Sequence, residues 1–204
     1  TCINDDFIVL SPRSLLLLLC EATIHELRDY NMSNQQDQAA LKRCVELARE
    51  ALEGGDAPFG SVLVSADGQT LQQDRNRENS GEKGDFKADA TLHPEYYLAK
   101  WAQRNLAADE RAKATVYTSG EHCAMCSAAH ACVGLGRIVY ASSTRQYTAW
   151  RKEFGIDVSK DAVRGIPIND VAPHIPTEGP IEGFDMQVKE LQRQYFRKHY
   201  SLDI

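Results

Sequence analysis

Helical and strand-like stretches alternate along this 204-residue chain, and the alternation predicts an α/β fold. The expected architecture is a three-layer α/β/α sandwich around a central mixed sheet of about five strands. Helical stretches at 35–53, 91–106 and 123–133 are separated by short strand-like runs at 59–65, 70–76, 115–118 and 137–141. Helices between strands cover both faces of a sheet, and a chain of this length can bury a sizeable core.

The first helix rests on Ala40, Leu41, Cys44, Val45, Leu47, Ala48, Ala51 and Leu52, which repeat at helical spacing until Gly54-Gly55 ends the run. Residues 59–65 read as a buried strand and 70–76 as a second, joined by the turn Ala66-Asp67-Gly68-Gln69. The polar stretch 77–89, with Gly81 and Gly84, reads as a loop. In the helix over 91–106, Pro94 falls in the first turn, where its missing N–H has no partner to lose. Ala-rich 123–133 is the third helix, ended by Gly134 and Gly136. Beyond Ser142 a helix over 144–154, a short strand over 166–171 and a last amphipathic helix over 185–200 are expected.

The first 31 residues hold an apolar run, Leu15 to Leu19, but no signal-peptide pattern. Asp5 and Asp6 precede a single Arg13, and Leu19, not a small residue, stands before Cys20. Met32-Ser33-Asn34 reads as a natural starting point, so 1–31 are expected to be an accessory extension and 32–204 the functional domain. No run approaches the roughly 18 apolar residues of a membrane span. The net charge of -6 argues against a nucleic-acid partner, because phosphate binding needs clustered Lys and Arg. Cys2, Cys20, Cys44, Cys123, Cys126 and Cys132 do not form a disulfide framework, and a reducing, cytoplasmic setting is expected.

Two stretches carry the chemistry: Thr91-Leu92-His93-Pro94-Glu95 and Glu121-His122-Cys123-Ala124-Met125-Cys126. His93, Cys123 and Cys126 supply one imidazole and two thiols, the donors zinc favours, and three protein ligands leave a fourth position for water. Glu95 fits a proton carrier better than a ligand. Both motifs fall at expected helix starts, where partial positive charge favours thiolates. A lone C-x-x-C or H-x-E is a weak signal; the pair, in this order, is strong. A structural zinc site would need a fourth protein ligand, with His122 and His130 the near candidates. A redox dithiol at Cys123 and Cys126 would leave His93 and Glu95 without a role.

H-x-E followed by P-C-x-x-C is the signature of zinc deaminases. On these residues the chain resembles the cytidine deaminase-like superfamily, over roughly Gln35 to Tyr140, and most the branch of guanine deaminase, fungal cytosine deaminase and tRNA adenosine deaminase. The resemblance implies a zinc cofactor and hydrolytic release of ammonia, with Glu95 moving the protons. It also implies substrate contacts from Asn76, followed by Arg77 as in the family, from Phe59 in Pro58-Phe59-Gly60, and from the backbone at Ala124. His122 stands where the family has Pro, and touches substrate, binds a neighbouring partner or caps the loop; the last is favoured. Pro94 removes an N–H that the family's Ala would offer. Tyr147 and Trp150 fall where relatives place pocket-closing residues, though ordinary packing is the simpler reading. A small nucleobase or nucleoside is the expected substrate, guanine slightly ahead, with a homodimer as the expected assembly. The alternatives are cytosine or cytidine deamination, tRNA adenosine deamination, and a non-catalytic zinc-stabilised interaction protein.

Overall fold

The computed structural model describes residues 35–202, and the expected extension 1–31 lies outside the described residues. Helix α1 (35–53) leads to a hairpin of β1 (Gly60–Val64) and β2 (Thr70–Arg75). After a loop come α2 (Pro94–Asn105), α3 (Ala108–Lys113), β3 (Thr115–Gly120), α4 (Ala124–Cys132) and β4 (Ile138–Ser142). The chain continues through α5 (Thr144–Glu153), α6 (Ile168–Val171), β5 (Thr177–Glu178) and α7 (Phe184–His199).

The strands form one sheet in the order β2-β1-β3-β4-β5. β1 is antiparallel to β2 and β3, whereas β3, β4 and β5 run parallel. The sheet is therefore mixed and five-stranded, as expected. Alternation along the strands sorts the core into two layers. Val62, Val64, Tyr117, Val139 and Ala141 face α1, α5 and α7, with Leu41, Val45, Trp150, Leu191 and Phe196 among the buried partners. Leu63 and Val116 face the other way, against Leu98, Ala99 and Ala102 of α2, with Ala129 and Val133 of the α4 end packed alongside. β1 is buried along its whole length, which is why Val62, Leu63 and Val64 are apolar without alternation.

Two expectations are corrected by the fold, and one helix, α3, was not expected. Residues 166–171 are not a strand: Pro167 caps the one-turn helix α6, and the fifth strand is the two-residue β5. α3 has no buried residue, so it has no apolar stripe to reveal it. α2 begins at Pro94, with His93 as its N-cap, so Thr91 and Leu92 precede it. Among the described residues no helix is long and apolar enough to cross a membrane.

Candidate active site

The parallel strands β3 and β4 end at Gly120 and Ser142, beside Phe59 at the start of β1. Ligand sites in open α/β sheets form outside such carboxyl ends. Here the chain leaves β3 through Glu121 and His122, and Cys123 becomes the N-cap of α4. Cys126 follows one turn later. α2 packs against α4. Its N-cap His93 is thereby brought to the same place as Cys123.

His93 Nδ1 lies 3.7 Å from Cys123 Sγ and 3.5 Å from Cys126 Sγ, and the two sulfurs are 3.5 Å apart. A tetrahedral zinc ion with Zn–S of roughly 2.3 Å and Zn–N of roughly 2.1 Å sets such edges at about 3.5–3.8 Å. The donor set and its spacing fit zinc. His93 and Cys123 also line a cavity of about 330 Å³, so one side of the triangle opens to space for water and substrate.

The protons on these groups reflect the crowding. The Cys126 thiol donates to Cys123 and, against the effect of burial and together with His93, pulls the Cys123 thiol down to about 4. Burial pushes His93 towards neutrality, but its bonds to Cys123 and Glu78 hold it up at about 10. A cation at the triangle would compete with these protons for the same lone pairs.

Glu95, on the first turn of α2, is only 5% exposed. Its Oε1 accepts from Ser61 Oγ at 3.2 Å and from Thr118 Oγ1 at 2.9 Å. Ser61 and Thr118 are a cross-strand pair between β1 and β3, on the face that carries Leu63 and Val116. Each hydroxyl has one proton and a second acceptor, since Ser61 also reaches Thr118 Oγ1 and Thr118 also reaches the Gly120 carbonyl. Oε2 points at Cys126 Sγ, 3.7 Å away. Burial pushes the Glu95 carboxyl up, with the charge of His93 acting in the opposite sense.

Phe59 lines the cavity and meets Tyr147 edge to face, with ring centres 5.7 Å apart. Tyr147 also lines it, whereas Trp150 is buried in the core. At the outer side, Arg151 holds Asp161 through two bonds of 2.6 and 2.7 Å and lies over the Tyr147 ring. Asn76, Ala124 and His122 are not among the lining residues. The Asn76 amide is tied on both polar atoms to Glu78. Ala124 is the first residue of α4, directly after Cys123. The buried His122 ring packs edge to face on His130 at 5.4 Å, and neither of its nitrogens has a partner among the described residues. Its carbonyl accepts from Ser127 Oγ, so its contacts lie in the loop and in α4.

Four residues of the site were not singled out from the sequence: Ser61, Thr118, Glu78 and Glu121. Ser61 leaves a trace, because it is the polar residue of the otherwise apolar β1, whereas Thr118 lies in β3 with Thr115 and Ser119 and does not stand out. Glu121 accepts the N–H of Thr144 at 2.7 Å and of Ile168 at 2.8 Å. Those are the first residues of α5 and α6, so one carboxylate satisfies two helix starts beside the cavity.

Comparisons with known proteins agree with this geometry. Residues 34–142 match the family model of the cytidine and deoxycytidylate deaminase zinc-binding region. A probable cytosine deaminase of Schizosaccharomyces pombe is 28% identical over 163 residues, covering 74% of this chain and 93% of that protein. Among solved structures, a guanine deaminase from Nitrosomonas europaea superposes with a TM-score of 0.55 at 18% identity, covering 77% of this chain and 82% of the other. A diaminohydroxyphosphoribosylaminopyrimidine deaminase/reductase from Thermotoga maritima gives a TM-score of 0.56 at 18% identity, over 82% of this chain and 42% of that one. At such identity these two structures speak for the fold alone. The family model spans more than half of the chain and includes His93, Glu95, Cys123 and Cys126, and the chain belongs to the cytidine and deoxycytidylate deaminase family.

Proposed function

We propose that this chain hydrolyses the exocyclic amino group of a nucleobase or nucleoside, releasing ammonia, with a two-ring base of the guanine type as the favoured substrate. The observation that carries this reading is the His93, Cys123, Cys126 triangle with the buried carboxylate of Glu95 directly behind it. Those three side chains would hold zinc, which would supply a Lewis acid able to bring the pKa of a water to about 7.

Glu95 does the proton work. Its Oε1 is fixed by Ser61 and Thr118, so Oε2, which faces Cys126 at the triangle, is the oxygen placed to take the proton of the attacking water. It then passes a proton to the ring nitrogen next to the reacting carbon and assists the departing amine. A carboxyl raised by burial suits both halves of that cycle better than an ordinary one. Phe59 and Tyr147 hold the base between aromatic edges, and burial around Glu95 keeps bulk water away from it.

A cavity of about 330 Å³ has room for a two-ring base, and a helix directly after the fourth strand, α5, resembles the arrangement of the guanine deaminase branch. Cytosine is the second reading, favoured by the 28% identity to a probable cytosine deaminase over nearly all of its length. The excess of acidic over basic residues supports a small ligand rather than tRNA.

Ammonia release from guanine, adenine, cytosine, their nucleosides and a tRNA substrate is the test, with zinc-loaded protein and a Glu95→Ala variant side by side. Turnover of one compound, reduced at least 10²–10⁴-fold in the variant while zinc stays bound, is expected from the loss of a general acid–base group. Normal activity in Glu95→Ala would refute its role. Light scattering on the same sample checks the homodimer.

A further inference from the structure

Glu78 lies in the loop after β2, two residues beyond Asn76, and lines the same cavity as His93. Its Oε1 sits 3.1 Å from His93 Nε2, the ring nitrogen that faces away from the two thiols. Its Oε2 accepts from Asn76 Nδ2 at 3.0 Å, and its own backbone N–H donates to Asn76 Oδ1 at 2.9 Å. Asn76 is buried, so its amide cannot turn without leaving polar atoms unpaired.

The loop on either side is equally fixed. Fully buried Asp56 accepts from the N–H groups of Asn79 and Ser80, from Ser80 Oγ and from Arg75. The Glu78 carboxylate therefore stands on a rigid base, between one imidazole N–H and one amide N–H. Both neighbours are donors, and only a group with two acceptor oxygens satisfies both.

We infer that Glu78 is a positioning residue for the metal centre. By accepting the Nε2 proton of His93 it fixes the imidazole tautomer and ring angle that present the Nδ1 lone pair to the Cys123 and Cys126 sulfurs. Partners of this kind, behind a metal-ligating histidine, typically contribute 10–100-fold to metal affinity. The inference rests on the zinc reading above and extends it to a residue outside the two motifs. It also gives Asn76 a place behind the metal centre: through Glu78 it steadies the ligand.

Glu78→Gln is the discriminating variant. It keeps size and shape, but its single carbonyl oxygen can satisfy His93 or Asn76, not both, and its NH₂ then faces a donor. Zinc affinity is measured by competition with a chromophoric chelator. The His93 tautomer is read by long-range ¹H–¹⁵N correlation on zinc-loaded, histidine-labelled protein. The expected result is a 10–100-fold weaker zinc affinity and an Nε2–H signal lost to solvent exchange, with little change in the melting temperature of the chelator-treated protein. If Glu78→Gln does not fold, Glu78→Ala is read by the same two signals. Wild-type zinc affinity together with an unchanged Nε2–H signal in whichever variant folds overturns the role of Glu78 and leaves the deaminase reading intact. A wild-type protein that binds no zinc overturns both.

Discussion

Burial disfavours the charged form of any side chain, so it moves the imidazoles and the carboxyl around this site in opposite directions. It pushes Glu95 up, as the proposed proton carrier would require, and pushes His122 and His130 down. His130 is held at about 4 by burial, in spite of its bond to the Gly136 carbonyl. Its unfolded value is about 6.5, so between those limits the unfolded chain binds the extra proton. The stability this neutral imidazole confers is fully present above pH 6.5 and is lost as pH falls towards 4. For a single buried group the loss is on the order of 3 kcal/mol. His130→Gln keeps a donor for Gly136 but does not titrate. Urea denaturation at pH 7 and pH 4.5 is expected to show a smaller acid-side loss in the variant than in the parent. Equal losses would mean that His130 is not held neutral.

At the scale of elements, the site depends on close approaches that need particular residues. A Cβ on Gly60 would meet Leu47 Cβ, would lie 2.6 Å from the Cys44 carbonyl and would lie 2.7 Å from the Ala48 amide, so β1 touches the backbone of α1 there. The obstacle is main chain and cannot swing aside. Gly60→Ala is expected to cost about 1–3 kcal/mol, as overpacking does, and urea denaturation with unchanged stability would show that α1 sits further from the sheet. The end of α4 and, within three residues, the start of α2 were legible because the Gly134 stop and a first-turn proline are local signals. α3 was not, because helix formers without an apolar face leave no periodic trace. Residues 166–171 misled for a related reason. Apolar Ile166, Ile168 and Val171 at short spacing suit a strand or a turn of helix, and here the Glu121 carboxylate on the Ile168 amide favours the helix start.

At the scale of the whole molecule, the described residues alone supply two core layers and the site, and the family match begins at residue 34. We therefore expect a chain starting at Met32 to fold, bind zinc and melt within a few degrees of the full chain. Failure of that shortened protein to fold would make residues 1–31 part of the domain. The sequence by itself determined the α/β class and the two motifs that supply His93, Glu95, Cys123 and Cys126. These follow from spacing along the chain: a helical or strand period, a capping residue, two cysteines one turn apart. Only the tertiary structure decided that Ser61 and Thr118 hold Glu95, that Glu78 rather than Asn76 lines the cavity beside His93, and that Glu121 joins α5 to α6. Ser61 is 34 residues from Glu95, and Glu121 is 47 from Ile168. Contacts over such distances are fixed by which strands lie side by side and which helix faces meet, and no local period encodes that order.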